Sequence, residues 1–192
     1  MSKDRHHHGN LREALIEAGM AMLNDGVPLT LRGAAQRVGV SHAAPAHHFQ
    51  GLNGLRTAIA AQAMKRLDGI LDKTGRNPEH SPFQKLLEMG LAYCEFATEY
   101  LPVFHLMFVS GEVDRADPAM LETSLATYAH LTRACEPFVS KDRDLAVLEH
   151  SIWSMTHGNA LLKMQDVTRN AMAPTEAPPL EAQYRMLLNL TD

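Results

Sequence analysis

Within eight consecutive residues the chain places Ser41, His42, Ala44, His47 and His48, a set of side chains suited to touching nucleic acid rather than to making or breaking bonds. Hydroxyl, imidazole and methyl groups presented from a short helix can approach base edges and phosphates in a major groove. Thr30, Arg32 and Arg56 flank the stretch as further donors. Bond-making chemistry has no comparable signal. The sequence contains no Gly-rich phosphate loop, no nucleophile elbow and no paired acid and base at a fixed spacing, so a small helical enzyme is the weaker alternative and no cofactor is expected.

The elements that would carry these groups are legible around them. Thr30 is a good N-cap, and Leu31, Ala34, Ala35 and Val38 recur at the three- and four-residue spacing of one buried helical face. Gly39 follows where the chain must turn sharply, Val40 supplies an apolar plug, and Ser41 is placed to cap a second helix. Two short helices joined by a tight turn predict a helix-turn-helix. Pro45 lies inside the second of them, where it lacks the N–H that would bond the Ser41 carbonyl. It either shapes the recognition helix or merely shortens it.

The segment from Leu11 to Ile59 resembles the N-terminal DNA-binding domain of TetR-type transcriptional regulators. The resemblance is carried by LREALIEAGMAMLNDG, by LTLRGAAQRVGVS, and by the closing pair His48-Phe49. HHGNLREAL from His7 and VSHAAP from Val40 are similar to a branch whose C-terminal domain bears a Trp, His, Gly signature, matched here by Trp153, His157 and Gly158 in SIWSMTHGNALL. The resemblance implies an all-α fold: a three-helix DNA-binding domain over residues 1–56 and a helical effector-binding and dimerisation domain over 57–192. It further implies a homodimeric repressor on a palindromic operator, released by a small molecule. Two positions depart from the family pattern, Ala46 where members usually carry Tyr and Leu52 where they usually carry Lys. Both family residues resemble phosphate contacts, so their absence is expected to weaken affinity more than it relaxes specificity. His47, His48, Arg56 and the N-terminal Lys3, Arg5, His6, His7 and His8 are the donors available in compensation. Operator affinity is accordingly expected to strengthen as pH falls from about 8 to 6, through the titration range of histidine.

The charge is divided along the chain in the same sense. Residues 1–56 hold six Lys/Arg against four Asp/Glu and six of the eleven histidines, whereas residues 57–192 hold twelve Lys/Arg against eighteen Asp/Glu, within a net charge of −4. The third predicted to face DNA is the basic one. With 192 residues and 45% apolar content the chain can bury a substantial core. No apolar run approaches a membrane span and the polar, His-rich start is unlike a signal peptide, so a cytoplasmic protein without a membrane partner is expected. Cys94 and Cys135 have no metal spacing and read as buried thiols.

The remainder is helical in pattern, over about 11–24, 52–73, 83–100, 102–109, 118–138, 141–166 and 180–190, with a Pro-rich loop at Asn170 to Pro179. Leu55, Ile59, Ala63 and Leu67 align on the long second of these. Phe104, Met107, Phe108, Trp153, Met155 and His157 are the candidate lining for a small apolar ligand, because flat aromatic walls, adaptable thioethers and an orienting imidazole suit one. The same residues also read as ordinary core. Leu145, Leu148, Ile152, Leu187 and Leu188 are the expected dimer contacts of a four-helix bundle. A metal effector held by histidines such as His150 and His157 is a rival, weakened by the absence of a tight zinc-type spacing.

Overall fold

The computed structural model describes residues 4–164 and 178–190. Among them run eight α-helices: α1 (Asp4–Asn24), α2 (Leu31–Val38), α3 (Gly51–Thr74), α4 (Pro82–Glu99), α5 (Leu101–Phe108), α6 (Pro118–Cys135), α7 (Leu145–Met164) and α8 (Leu180–Leu188). Two 3-10 turns, Ala44–His47 and Glu136–Phe138, complete the order. The described residues form no strand, only an isolated bridge between Ser140 and Arg143.

Local chemistry sets the helix ends. Gly26 and Gly39 take left-handed φ values of 69° and 78°, which stop α1 and α2 where a side chain would be strained. The last predicted helix but one starts later than expected, at Leu145, because the Asp144 carboxylate accepts from the N–H groups of Ala146 (2.9 Å) and Val147 (3.3 Å) and so caps it there. The expected helix to residue 138 is α-helical only to Cys135 and tightens to 3-10 around Pro137, which has no N–H to continue the ladder. Most of the predicted loop 170–179, Lys3, and the side chains of Arg5, His6, His7 and His8 lie outside the described residues.

Two compact units divide the chain. The first comprises residues 1–65 and 100–124, the second residues 66–99 and 125–192. In the first, α1 packs on α2 and on α5. Leu15, Ile16, Met20, Met22, Ala34, Ala35, Leu55 and Ile59 are buried there; of the face read for α2, Ala34 and Ala35 are enclosed and Leu31 and Val38 half-buried. A Cβ built on Gly19 would stand 2.5 Å from the Ile59 Cδ1, so α1 and α3 approach closely there and a larger residue would have to displace the end of the Ile59 side chain. In the second unit α4 packs against α7 and α8. Leu86, Tyr93, Phe96, Leu148, Ile152, Tyr184 and Leu188 make its core. The side-chain amides of Asn159 and Gln183 exchange two hydrogen bonds, 2.9 and 3.0 Å, between α7 and α8. A Cβ on Gly90 would clash with the Tyr184 hydroxyl and lie 2.9 Å from Leu180 Cδ2, so glycine is what lets α8 sit on α4. No helix of the described residues is long and apolar enough to cross a membrane.

Candidate DNA-reading turn and sensor residues

The supporting helix forms as its residues require. Thr30 is extended (φ −143°, ψ 150°) and its Oγ1 accepts from the Gly33 N–H at 2.9 Å, capping α2. Arg37 bonds Asp25 at 2.6 Å and fastens the end of α2 to the end of α1.

The second element is not the α-helix expected from the spacing. Residues Ala44–His47 form a four-residue 3-10 turn whose N–H groups reach carbonyls three residues back: Ala44 to Ser41 (3.0 Å), Ala46 to Ala43 (3.2 Å) and His48 to Pro45 (3.0 Å). Pro45 is the cause. It cannot donate to Ser41, and the Ser41 carbonyl is taken by Ala44 instead. Ser41 does not cap the turn with its side chain, since the residue at the cap position is Ala43 and makes no such bond. Pro45 is itself buried, and the Phe49 N–H bonds its carbonyl at 2.9 Å. Phe49 is buried in turn and carries the Arg12 guanidinium over its ring at 5.6 Å, which ties the turn to α1.

Arg32, Ser41, His42 and His47 are exposed, Ala44 and His48 half-buried. The ring of His48 is tilted against that of Phe49 at 6.3 Å. Arg56 differs from the other candidates. It bonds Asn53 at 3.0 Å and pairs with Glu112 at 3.0 Å, so an intramolecular carboxylate already occupies it. One residue on, the Thr57 hydroxyl accepts from the Asp114 N–H at 3.0 Å, so the segment after α5 is fixed to the start of α3 twice. The Arg56–Glu112 partnership spans 56 positions of sequence and has no local signature. Ala46, exposed, and Leu52, half-buried, are the two positions at which the sequence departs from the family pattern.

The six candidate ligand residues fall in two groups. Phe104, Met107 and Phe108 are in the first unit, where Phe104 and Met107 are fully enclosed and Phe104 stacks at a tilt on Phe108, 4.8 Å between centroids. The two enclosed side chains serve as core. Trp153, Met155 and His157 are in the second unit on α7. Trp153 is exposed, Met155 and His157 half-buried, and the Trp153 and His157 rings lie 6.2 Å apart at a tilt. The Tyr93 hydroxyl is 2.8 Å from His157 Nδ1. Burial holds His157 below the usual histidine range and pushes the Tyr93 hydroxyl far above the usual phenol range, so both are neutral. Burial likewise raises both thiols, Cys135 to about 12, which leaves them as unreactive packing groups.

Of the expected dimer contacts, Leu148, Ile152 and Leu188 are enclosed by their own chain and cannot meet another. Leu145 and Leu187 are half-buried. The large apolar groups that α7 and α8 do expose are Val147, Trp153, Leu162 and Met186, of which Val147, Trp153 and Met186 each adjoin a residue read from the spacing and Leu162 lies well beyond them. Apart from its chain neighbours and the backbone of its own helix, no atom of the described residues lies within 4 Å of where a Cβ on Gly158 would stand.

Neither a family model nor a curated protein matches the sequence. Solved structures do. A protein of unknown function from Rhodococcus sp. RHA1 is 23% identical, covering 97% of this chain and 96% of its own, with a TM-score of 0.73. The TetR family transcriptional regulator PfmR from Thermus thermophilus is 20% identical, covering 94% and 95%, with a TM-score of 0.52. An all-helical chain with a capped supporting helix, a glycine turn and a short reading element, alike in course to PfmR over nearly its whole length, has the TetR-type fold.

Proposed function

We propose that the chain is a ligand-responsive, DNA-binding transcriptional repressor that holds a palindromic operator as a homodimer and leaves it when a small molecule binds. The observation that carries this reading is the junction of α2 with the 3-10 turn: Thr30, Arg32, Ser41, His42 and His47 stand exposed around a turn fixed by Gly39, Pro45 and Phe49, within the TetR-type fold. In this reading residues 1–56 read DNA and residues 57–192 dimerise and sense the effector. His48 supports the reading surface, and Arg56 reaches a phosphate once Glu112 releases it.

The subunit contact is assigned to the outer face of α7 and α8. Val147, Leu162 and Met186 supply exposed apolar surface, Leu145 and Leu187 its margin, and the open space over Gly158 admits a second helix at close range. Trp153, Met155 and His157 are the effector-facing residues of α7. The response is a shift between two dimer states with different spacing of the reading turns. A ligand preferring the released state tenfold contributes about 1.4 kcal/mol per site.

Selection of DNA fragments by the purified protein at low salt tests the reading. Enrichment of a shared palindrome with one half-site spacing supports a dimeric operator reader. Fragments without symmetry, or none at all, overturn it.

A further inference from the structure

Among the described residues, Glu149 is a buried carboxylate without a cation. It is 7% exposed, and the bond it accepts comes from the Tyr128 hydroxyl, 3.0 Å from Oε2. No Lys, Arg or His of the described residues pairs with it. A carboxylate with so little access to water ordinarily has a positive partner or several donors, and Glu149 has a single phenol. Tyr128 gives up no proton to relieve it, because burial and the neighbouring carboxylate both push that hydroxyl above the phenol range. His157, neutral by burial, brings no charge either.

The surroundings of the carboxylate are aromatic and open. Trp153 lies one turn beyond Glu149 on α7, and its ring meets that of Tyr128 edge to face, 6.3 Å between centroids at 87°. Each of the two residues is 40% exposed, an unusual investment of ring surface in solvent for side chains of this size. An exposed aromatic pair beside a carboxylate that has no cationic partner is complementary to a cation with an apolar body: the π faces attract the charge, the carboxylate neutralises it, and the rings shed water on contact with the substituents.

We propose that Glu149, Tyr128 and Trp153 form a binding site for an organic cation of the alkyl- or arylammonium class. This rests on the reading of the chain as an effector-responsive regulator, and gives that effector its chemistry. Glu149 is the counter-ion, Trp153 and Tyr128 are the walls, and the Tyr128 hydroxyl is the placeholder that the cation displaces.

Trp153 is the single tryptophan of the chain, so its fluorescence reports on the site directly. Benzyltrimethylammonium titrated into the full chain is expected to quench it with saturation. Glu149→Gln is expected to bind about tenfold more weakly, and Tyr128→Phe, which keeps the ring and frees the carboxylate, at least as tightly as the parent. The uncharged isostere neopentylbenzene separates charge from bulk on the unaltered protein, whatever the variants do to folding. Equal affinity for the two probes, equal affinity in Glu149→Gln, or no saturable quenching overturns the proposal. Operator retention measured on the same preparation keeps the two readings apart: cation binding without DNA binding removes the regulator and leaves the site, and the reverse removes only the site.

Discussion

The Tyr93 hydroxyl and His157 Nδ1 lie 2.8 Å apart across the α4–α7 contact, although 64 residues separate them in the chain. This pair should make the second unit sensitive to acid. Burial lowers the folded-state pKa of His157 below 6.5, so on acidification the unfolded chain takes up the proton first. The stability contributed by the neutral imidazole is therefore complete above about pH 6.5 and is lost as the pH falls below it. Urea midpoints at about pH 7.5 and about pH 5.5, either side of the histidine range, should show a larger drop for the parent than for His157→Gln. The difference between the two proteins isolates this residue from the other histidines.

Gly39 caps α2 at a φ of 78° with nothing within 4 Å of a Cβ. Gly39→Ala should thus cost only the backbone strain, roughly 1–2 kcal/mol. Thermal melts measure it. A neutral result would mean that the turn relaxes out of the left-handed region.

Gly158 is the opposite case, a helical glycine with negative φ and open space where a side chain would stand. In a lone chain Gly158→Ala should raise stability by about 0.5–1 kcal/mol through helix propensity. If α7 meets a second copy there, the same substitution should weaken the dimer. Sedimentation across a concentration series should show dissociation at higher protein concentration for the variant, and an unchanged dimer would move the interface off this face.

Glu112 holds the Arg56 guanidinium at 3.0 Å. Glu112→Gln should free that arginine for a phosphate, strengthening DNA binding and steepening the salt dependence by about one unit of log-log slope. Arg56→Ala should do the reverse. Identical slopes in all three proteins would exclude Arg56 from the contact.

The fold is readable where a rule of local chemistry acts. The Thr30 cap, the Gly39 turn, and the buried faces of α2 and α3 follow from residue type and spacing, and the structure places them accordingly. Spacing does not say which side of α7 its own chain will claim. Both faces of that helix are apolar, so Leu148 and Ile152 went to the interior while Val147 and Leu162 stayed outside, a choice made by α4 and α8 rather than by α7. The reading element departs from its spacing for a related reason. Proline at the start of a helix is ordinarily tolerated, and here the segment ends at Phe49 before an α-helical ladder can be established beyond it. Arg56–Glu112 and Glu149–Tyr128 carry no mark in the sequence, because each joins positions that only the packed chain brings together.

The four-residue turn that replaces a recognition helix sets a limit on vocabulary. At roughly 2 Å of rise per residue it spans about 8 Å, the length of two to three base-pair steps. Each half-site would then be spelled by very few letters, each mismatch costing about 1–3 kcal/mol, and a genome offers an enormous number of such short words. In the dimeric operator reader proposed above, what distinguishes one address from the rest would then be syntax: the distance and orientation at which two short words are repeated.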